Sequence, residues 1–546
     1  MLNIFDYLRE KVSKAVLNET QEVVNFDIET VKNEQFGDFS TNIAMQLTKI
    51  LKDNPRNIAT KIVANLEEDP FIGKVEIAGP GFINFFLSDE FYYDFLTTVK
   101  ENDCKEIFKL DNYKGDKVHV EFVSANPTGP LNVVSARAGA VGDSVANLIA
   151  RGGAEKVERE FYVNDAGNQV NLLAESLKAR YVQEIGQEYE FPENGYHGAY
   201  VVDIAKDFVK EYGNDFDYNN DENLPIFRDF ALAHNLKSQD DSLKKYGVVF
   251  DEYFSEKKLR ESGKVEEAFE LLKSKGETFE ADGAVWFEAT KYGDEKDRVL
   301  VTSEGNPTYF LPDIAYHHDK LNRGNDWSIG FWGPDHHGYF CRLHGALQSL
   351  GYKKENYEFR IVQQINLLRG GETVKMSKRT GEIISMDELI EEVGVDSAKF
   401  SFLQRTTNAH LDFDIEVAKK KSDENPVFYI QYAHARICSI LRTVENEMKD
   451  VDLNWSRLVE KQEVALIKKL YFYNSALKLA ISHLEPHRIN VYLLELAKDF
   501  HNFYQHCRVI VEDKELSKAR YSLANVTRKV IADGLSLLGI SAPEKM

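Results

Sequence analysis

The feature that most limits the possible folds is a strand–turn–helix unit that occurs twice in succession. In the first, the stretch KVHVEFV from Lys117 runs into a turn rich in proline and glycine, and small residues then open a helix over about 136–151. In the second, a strand through 161–163 is followed by a turn at 164–167 and another helical stretch. Such units in series give parallel strands joined by crossover helices. We therefore predict a parallel-sheet domain over residues 115–385.

The segments on either side of this domain have different patterns. Residues 1–90 combine helical spacing of apolar residues with a hairpin-like alternation over 74–87, which predicts a small α+β module. Residues 426–546 have apolar residues at helical spacing throughout, which predicts an all-α bundle, and 386–425 connect it to the sheet domain. About 175–280 are acidic, rich in tyrosine and helical by spacing, so we expect a helical insertion there. The predicted fold class is multidomain α/β: a parallel-sheet domain with an insertion, an N-terminal α+β module and a C-terminal all-α bundle.

Charge is unevenly distributed along the 546 residues. The chain has 67 Lys and Arg against 89 Asp and Glu, a net charge of −22, which alone favours an acidic protein without a nucleic-acid partner. Residues 426–546, however, contain 17 Lys and Arg against 14 Asp and Glu, so this segment can still offer a local basic face. No apolar run approaches the roughly 18 residues of a membrane span, and the charged N-terminus does not match a signal peptide, so we expect a cytoplasmic protein without a membrane partner. The four scattered cysteines predict neither a zinc site nor a disulfide framework.

The loop Ser124–Leu131 joins the first strand to its helix. At such a junction, free backbone N–H groups and the helix dipole face an anion, as in the phosphate sites of α/β sheets. Prolines and a glycine fix the turn, while Asn126 and Thr128 add neutral hydrogen-bonding groups. Taken alone, this segment is explained equally well as an ordinary tight turn.

A second motif is the glycine-flanked loop Gly370–Gly381, GGETVKMSKRTG, which contains three cations together with hydroxyl side chains. Glycines at both ends allow such a loop to move, and Lys375 and Lys378 can close on a polyphosphate as point charges. A solvated basic loop is the alternative. In a chain of net charge −22 this is among the densest cationic stretches, so phosphate binding is favoured.

The third motif pairs Tyr309 and Asp313 with the stretch DHHGY over 335–339. Aspartate, tyrosine and histidine that converge near strand ends can hold a cationic group through charge-assisted hydrogen bonds. The adjacent histidines also suggest a metal site. No third ligand follows at a typical zinc spacing, so we expect no bound metal.

Seven strings between Val120 and Met546 resemble the bacterial arginyl-tRNA synthetases: VEFVSANPTGPLNVVSARAGAVGD, YVNDAGNQ, PTYFLPDIAYH, WGPDHHGY, INLLRGGETVKMSKRTG, FYIQYAHARI and LLGISAPEKM. NPTGPL followed by the KMSKR loop is typical of class I synthetases, and SANPTGP and GISAPEKM are similar to the arginine branch. The resemblance implies a Rossmann-like catalytic domain with an insertion near the tRNA acceptor end. It also implies an N-terminal module that contacts the tRNA elbow and a helical anticodon-binding domain.

The resemblance further implies the reaction, that of an arginine–tRNA ligase. ATP, accompanied by Mg²⁺, activates L-arginine to arginyl-adenylate with release of pyrophosphate, and the arginyl group then passes to the 3′ end of tRNA(Arg). Members of the family need bound tRNA before they activate arginine, and they are usually monomeric. We therefore expect a monomer whose partners are tRNA(Arg), L-arginine and ATP, without a structural metal.

Residues at the family's functional positions form four overlapping groups. Those expected to bind arginine are Glu121, Ser124, Asn126, Tyr309, Asp313 and His337. Those expected to bind ATP are Pro127, Thr128, Gly129, Asn132, Ser135, Lys375, Met376 and Lys378. Those expected to take part in catalysis are Lys375, Ser377, Lys378, Asn132 and Ser135. Those expected to contact tRNA are Asn84, Tyr432, Arg436, Tyr504 and Arg508.

One departure from the family concerns its HIGH signature. Where the family has two histidines, this chain has Asn132 and Ser135, with Val134 where glycine is usual. Asparagine and serine donate hydrogen bonds to phosphate oxygens but carry no charge, and loss of one oriented donor typically costs on the order of 10²-fold in rate. A tRNA-binding or regulatory paralogue with weak catalysis is therefore the main alternative, although the other motifs are intact and favour an active enzyme. A synthetase for cysteine or glutamate is disfavoured by the cysteine spacing and by the acidic pair Glu121 and Asp313.

Overall fold

The N-terminal module is a four-stranded antiparallel sheet packed against helices. The computed structural model describes residues 4–31, 33–374 and 384–546. The elements of the module are α1 (Ile4–Thr20), β1 (Glu29–Thr30), β2 (Phe39–Thr41), α2 (Ile43–Gln46), α3 (Thr48–Leu51), α4 (Pro55–Ala64), β3 (Ile72–Ala78), β4 (Phe82–Leu87), α5 (Asp89–Glu101) and α6 (Cys104–Ile107). The strands pair in the order β1-β2-β4-β3, and β3 and β4 form the predicted hairpin.

The central domain is built on five parallel strands. Its elements are β5 (Lys117–Glu121), α7 (Val133–Arg151), β6 (Lys156–Val163), α8 (Asn168–Glu184), α9 (Ala199–Tyr212), α10 (Leu224–Lys245), β7 (Glu252–Ser255), α11 (Glu256–Glu261), α12 (Lys264–Ser274), β8 (Thr278–Ala281), β9 (Ala284–Phe287), β10 (Arg298–Val301), α13 (Phe310–Asn322), β11 (Trp327–Trp332), α14 (Phe340–Leu350) and β12 (Tyr357–Ile361). The order is β12-β11-β5-β6-β7, and every neighbouring pair is parallel. The predicted parallel sheet is confirmed. The carboxyl ends of its strands meet at one edge, where sheets of this class bind ligands.

The segment predicted as a helical insertion differs in one respect from the expectation. The helices α8, α9 and α10 form an apolar core of their own around Phe208 and Phe227. The chain then returns to the main sheet and adds β7 beside β6. The strands that follow, β8 to β10, form a separate antiparallel sheet. β7 has four residues, which is too short for a reliable alternation, so spacing did not predict it.

A small mixed sheet follows the main one. Its elements and the helices around it are β13 (Ile365–Arg369), β14 (Glu372–Thr373), α15 (Met386–Val393), α16 (Val395–Phe402), β15 (Leu411–Asp414) and α17 (Ile415–Lys419). The strands pair in the order β14-β13-β15. This sheet leads the chain from the central domain to the C-terminal helices.

The C-terminal part is a bundle of helices, as predicted. They are α18 (Pro426–Met448), α19 (Lys461–Tyr471), α20 (Tyr473–His483), α21 (His487–His506) and α22 (Lys514–Leu537). The bundle packs on the N-terminal module, where Lys468 Nζ lies 2.8 Å from Asp38 Oδ1 and the rings of Tyr471 and Phe91 meet edge to face.

None of the helices in the described ranges combines the length and apolar character needed to cross a bilayer. Within the same ranges, no cluster of three or more His, Cys, Asp or Glu side chains is arranged to hold a metal ion.

Candidate active site

The turn that follows β5 is the first part of the candidate site. Val123 and Ser124 both adopt left-handed backbone conformations, with φ of 69° and 42°. Residues with a side chain rarely adopt this conformation, and each costs on the order of 1–3 kcal/mol, so surrounding contacts must hold it. Ser124 Oγ lies 3.4 Å from Glu121 Oε1 and accepts a 3.2 Å hydrogen bond from the N–H of Tyr162. Ser124 thus links the Glu121 carboxylate to the neighbouring strand.

Glu121 has a buried counter-ion that the sequence analysis missed. Lys320 Nζ, on α13, donates a 2.9 Å hydrogen bond to Glu121 Oε2, and the two side chains are 1% and 4% exposed. Burial lowers the pKa of Lys320, and the contact with Glu121 opposes that shift. A sequence signal does exist, because Lys320 follows Asp313 by seven residues and so lies two turns along the same helix face. Glu121 is therefore part of an ion pair before any substrate binds.

A second buried acid, Glu160 on β6, also has charged and polar neighbours. It accepts a 2.6 Å hydrogen bond from Tyr316 Oη, and it lies 2.6 Å from Arg323 and 3.1 Å from His119 Nε2. Burial alone would raise the pKa of Glu160, but the contacts with His119 and Arg323 outweigh burial and hold the pKa well below its ordinary value. The charge of Glu160 is therefore compensated, and Glu160 is not a free acid.

Asp313 is in a different situation. It lies in the first turn of α13 and accepts a hydrogen bond from Tyr339 Oη, and it forms no ion pair with any described residue. Burial raises the pKa of Asp313 to about 7; the Tyr339 hydrogen bond opposes this rise, and the nearby carboxylates of Glu256 and Glu121 add to it. A cation placed beside this carboxylate would favour its ionised form.

Three aromatic or imidazole residues belong to the same sequence motifs as Asp313. Tyr309 is the N-cap residue of α13 and is 77% exposed, so its ring is available to a ligand. His337 belongs to the 3₁₀-helix Pro334–Tyr339, but its side chain lies outside what the structure describes. Tyr339, which the sequence analysis did not select, connects that helix to Asp313, and burial raises the pKa of its hydroxyl.

Residues 126–129, called the ATP-side loop below, follow the left-handed turn at Val123 and Ser124. Asn126 is exposed, and its Nδ2 donates a 2.8 Å hydrogen bond to Gln169 Oε1. Pro127 is buried. The backbone N–H groups of Thr128 and Gly129 have no hydrogen-bond partner in the described part of the chain. Successive free N–H groups of this kind can bind an anion.

The N-terminus of α7 is less open than the sequence analysis expected. The side-chain oxygen of Asn132 accepts hydrogen bonds from the N–H of Val134 at 2.9 Å and of Ser135 at 3.1 Å, and the Ser135 hydroxyl lies 3.4 Å from the same oxygen. Asparagine is a preferred N-cap because it satisfies these donors of the first turn. The expectation of free helix N–H groups is therefore corrected at residues 134 and 135. What Asn132 offers a ligand is its amide N–H₂ group, which has no partner among the described residues.

Part of the glycine-flanked loop Gly370–Gly381, called the lysine loop below, lies outside the described residues, and this part includes Lys375, Met376, Ser377 and Lys378. The segments that flank it are placed. On one side, the N–H of Val374 donates a 2.8 Å hydrogen bond to the carbonyl of Leu367. On the other side, Ser385 forms an antiparallel β-bridge with Asn132. The chain that follows the loop therefore runs beside the N-terminus of α7.

Arg137 joins α7 to the segments around the small mixed sheet. Its buried guanidinium donates hydrogen bonds of 2.7–3.3 Å to four backbone carbonyls, those of Gln363, Gln364, Thr406 and Ala409. Burial lowers the pKa of Arg137 to about 10, so the group remains cationic at neutral pH. The sequence does not indicate this role of Arg137, because its acceptors are backbone atoms distant in the chain.

An aromatic and cationic cluster lies on the surface of the helical bundle. The guanidinium of Arg436 lies 4.5 Å from the ring centre of Tyr432 and 4.8 Å from that of Tyr504, so it bridges α18 and α21. The ring of Phe428 stacks on Tyr432. Three of the four bundle residues predicted to contact tRNA are thus together, and Arg508 is exposed just beyond the end of α21. Unpaired bases stack on groups of this kind.

Asn84, predicted to contact the tRNA elbow, lies on β4 and is only 3% exposed. Its Oδ1 accepts a 2.7 Å hydrogen bond from Ser40 Oγ. It lines a surface cavity of about 530 Å³ together with Phe36 and Phe82, which are 49% and 39% exposed. Phe82 lies two residues before Asn84, on the same face of the strand, so the strand period is the signal that could have identified it.

Three family models match consecutive parts of the chain. The Arginyl tRNA synthetase N terminal domain matches residues 3–87, and the tRNA synthetases class I (R), catalytic domain, matches residues 98–419. The DALR anticodon binding domain matches residues 430–546.

Individual relatives match over the full length. Arginine--tRNA ligase 2 of Bacillus thuringiensis subsp. konkukian is 45% identical over 548 aligned residues, covering 100% of this chain and 98% of that protein. Arginine--tRNA ligase of Bacillus subtilis is 43% identical over 551 residues, covering 99% of each. The solved Thermus thermophilus arginyl-tRNA synthetase has the same fold, with a TM-score of 0.76 and 22% identity over 100% of both chains. With its N-terminal, catalytic and anticodon-binding parts all matched, the chain belongs to the arginyl-tRNA synthetase family, the class I arginine–tRNA ligases.

Proposed function

We propose that this chain activates L-arginine with ATP, forming arginyl-adenylate, and transfers the arginyl group to the 3′ end of tRNA(Arg). The observation that carries the proposal is the state of Asp313. This acid is partly buried, is bonded to the neutral Tyr339, and has no ion-pair partner among the described residues. The carboxylate form of such a group binds a cation strongly, because the cation stabilises the negative charge. A guanidinium is always charged and can bond both carboxylate oxygens at once, so it fits better than the ammonium of lysine.

The two carboxylates of the arginine site take different roles in this proposal. Asp313 binds the guanidinium directly. Glu121 keeps Lys320 as its partner, so it adds acceptor oxygens to the pocket without adding a second uncompensated charge. The single positive charge of the arginine side chain then meets a single free negative charge. We assign the orientation of the remaining substrate groups to Ser124, Asn126, Tyr309 and His337.

ATP is proposed to enter with Mg²⁺ as the substrate complex and to lie along the loop 127–129 and the start of α7. The carboxylate of arginine attacks the α-phosphorus, an oxygen–phosphorus bond forms, and pyrophosphate leaves. Charge on the phosphate oxygens is stabilised by oriented donors and cations. Thr128, Gly129, Asn132 and Ser135 offer neutral donors only. We therefore assign charge compensation to Lys375 and Lys378 of the lysine loop. Ser377 is assigned as a supporting donor, and Met376 lies between them in the same ATP-binding loop.

The tRNA is proposed to bind at two separated surfaces. The anticodon surface consists of Tyr432, Arg436, Tyr504 and Arg508. The elbow surface consists of Asn84 and its neighbour Phe82, whose exposed ring can stack on an unpaired base. Both assignments are supported by aromatic rings that are exposed at the surface of otherwise packed modules.

Arginine-dependent ATP–pyrophosphate exchange, measured with and without tRNA(Arg), tests the proposal. We expect exchange when tRNA(Arg) is present, formation of arginyl-tRNA, and no exchange when cysteine or glutamate replaces arginine. Tight binding of tRNA(Arg) without exchange under either condition would favour a regulatory paralogue. Sedimentation of the protein and cell fractionation test the monomeric state and the cytoplasmic location that we propose from the family resemblance.

A further inference from the structure

Gln239, on α10 of the helical insertion, contacts the ATP-side loop through its side-chain amide. Its Nε2 donates hydrogen bonds to the carbonyl of Asn126 at 3.1 Å and to that of Gly129 at 2.7 Å, and the residue is only 1% exposed. Its own Oε1 is buried without a hydrogen-bond partner among the described residues. A buried, unsatisfied oxygen is costly. The polar contacts of Gln239 in the described structure are thus the two bonds to the loop.

Two further side chains of the insertion donate hydrogen bonds to the carbonyls of Pro127 and Thr128, which lie between those of Asn126 and Gly129. Asn235 Nδ2 donates a 3.0 Å hydrogen bond to the carbonyl of Pro127. Tyr200 Oη donates a 2.5 Å hydrogen bond to the carbonyl of Thr128. All four consecutive carbonyls from 126 to 129 are therefore bonded to the insertion.

The polar residues of α10 form a continuous buried stripe. Asn235, Gln239 and Ser242 follow at helical spacing and are 4%, 1% and 5% exposed. The buried face of a helix is ordinarily apolar, so this stripe indicates a specific polar partner. For Asn235 and Gln239, the partner is the ATP-side loop. Ser242 Oγ donates a 2.6 Å hydrogen bond to Asp387 on α15, the helix that follows the lysine loop.

The geometry of the peptide group gives these bonds a consequence for ligand binding. No peptide bond among the described residues is cis, so each C=O and the N–H of the following residue point in opposite directions. The carbonyls of Pro127 and Thr128 are held toward the insertion. The N–H groups of Thr128 and Gly129, which have no partner in the described part of the chain, are therefore held facing away from it.

We propose that Tyr200, Asn235 and Gln239 are positioning residues for ATP: through the loop carbonyls they aim the N–H groups of Thr128 and Gly129 at the phosphates. The proposal rests on the function assigned to the loop above. It extends the ATP site to three side chains of the insertion that do not touch the nucleotide themselves. It also makes α10 a direct connection between the ATP-side loop and the helix beyond the lysine loop.

Two variants of the full-length chain test this role. Gln239→Met removes both donated hydrogen bonds and preserves side-chain length, and Tyr200→Phe removes one. The matched control is Tyr181→Phe, since the Tyr181 hydroxyl lies in the same insertion but donates to the carbonyl of Gly213 at 2.9 Å. For each protein, KM for ATP and for arginine are measured by pyrophosphate exchange with tRNA(Arg), and the affinity for ATP·Mg²⁺ is measured by calorimetry.

We expect Gln239→Met to raise KM for ATP about tenfold or more and to weaken ATP binding equally, with KM for arginine within about twofold. Tyr200→Phe should act in the same direction by about threefold to tenfold, and Tyr181→Phe should change neither KM. Unchanged ATP parameters in both test variants, or an equal rise in KM for arginine, would overturn the proposal. If Gln239→Met does not fold, the KM values and the ATP affinity of Tyr200→Phe test the proposal. If the wild type shows no exchange, the proposed function fails instead, and the calorimetric ATP affinities still decide the role of the three residues.

Discussion

Lys320 Nζ lies 2.9 Å from Glu121 Oε2, and each side chain is almost completely buried. Opposite charges in such a setting depend on each other, because a charge left alone has lost both its water and its counter-ion. The pair fixes the Glu121 carboxylate and leaves Asp313 as the acid that can respond to a substrate cation.

Replacing Lys320 with methionine should lower the free energy of unfolding of the sheet domain by about 3–5 kcal/mol, since Glu121 would remain buried and unpaired. The double variant Lys320→Met, Glu121→Gln should recover part of this loss, because it removes both charges. Urea unfolding followed by tryptophan fluorescence measures both effects. Wild-type stability in the single variant would show that the ion pair does not hold the site.

Asp313→Asn should raise KM for arginine by about 100-fold or more, because an amide cannot compensate the guanidinium charge. KM for ATP should stay within about threefold of the wild-type value. Pyrophosphate exchange at saturating tRNA(Arg) gives both constants. Asp335→Asn, which changes an exposed acid in the neighbouring motif, is the matched control. A parallel rise in both KM values for Asp313→Asn would contradict the assigned pocket.

Arginine binding should depend on pH through Asp313. Burial raises the pKa of this acid to about 7 in the free protein, and a bound guanidinium should lower it. Below about pH 7, binding should therefore release a proton, and affinity should fall about tenfold per pH unit. Above pH 7 the affinity should level off. Calorimetry in buffers of different ionisation enthalpy measures the released proton, and Asp313→Asn should release none.

The same acid should make the free protein less stable as pH rises. Its pKa lies above the ordinary value of 3.8, so the neutral form favours the folded state. That contribution is complete below the ordinary value and is lost as pH rises through about 7. Thermal unfolding between pH 5 and pH 8, compared with Asp313→Asn, measures it. Added arginine should raise the unfolding temperature more at pH 8 than at pH 6, and equal increments would argue against ionisation of Asp313 on binding.

The two roles of Asn132 can be separated by two substitutions. Asn132→Asp keeps the N-cap acceptor but places a negative charge where the triphosphate is expected, so it should keep stability and raise KM for ATP about tenfold or more. Asn132→Ala removes the cap and should cost about 1 kcal/mol of stability. Thermal unfolding and exchange kinetics on both variants measure the effects. Tight ATP binding by Asn132→Asp would place the phosphates elsewhere.

Arg436→Ala should raise KM for tRNA(Arg) by about tenfold to 100-fold, because it removes the cation that bridges Tyr432 and Tyr504. KM for ATP and arginine should not change. Arg442→Ala is the matched control on the same helix, where Arg442 contacts Glu544 at the C-terminus. Aminoacylation at varied tRNA concentration gives the constants, and equal effects of the two substitutions would remove Arg436 from the anticodon surface.

The sequence predicts those parts of the fold that local patterns determine. The strand–turn–helix order from Lys117 and the hairpin around Gly79 were predictable because turn residues and periodicity act over a few neighbours. The N-cap role of Asn132 was also accessible, since asparagine before an apolar helix is a start signal. By contrast, β7 could not be predicted, because its four residues give too few alternations of apolar and polar side chains.

The unpredicted side chains of the site act across long separations. Lys320 reaches Glu121 over 199 residues, and Gln239 reaches Gly129 over 110 residues. Helical spacing places Lys320 on the same face as Asp313, but it does not identify either partner, since each contact depends on how a helix packs against a distant part of the chain. Gln239 stands out because it is a polar residue on the buried face of α10, but which face is buried is known only from the folded structure.

The insertion holds residues 126–129 by their main-chain oxygens. Recognition of this kind does not depend on which side chain a position carries, so Asn126 and Thr128 can be exchanged without removing the hold on the loop's path. Gly129 is the exception, because a Cβ atom there would lie 3.1 Å from Tyr200 Oη. An engineer who wishes to vary the side chain beside the proposed phosphate site could therefore randomise position 128 while keeping Asn126 for the proposed arginine contact.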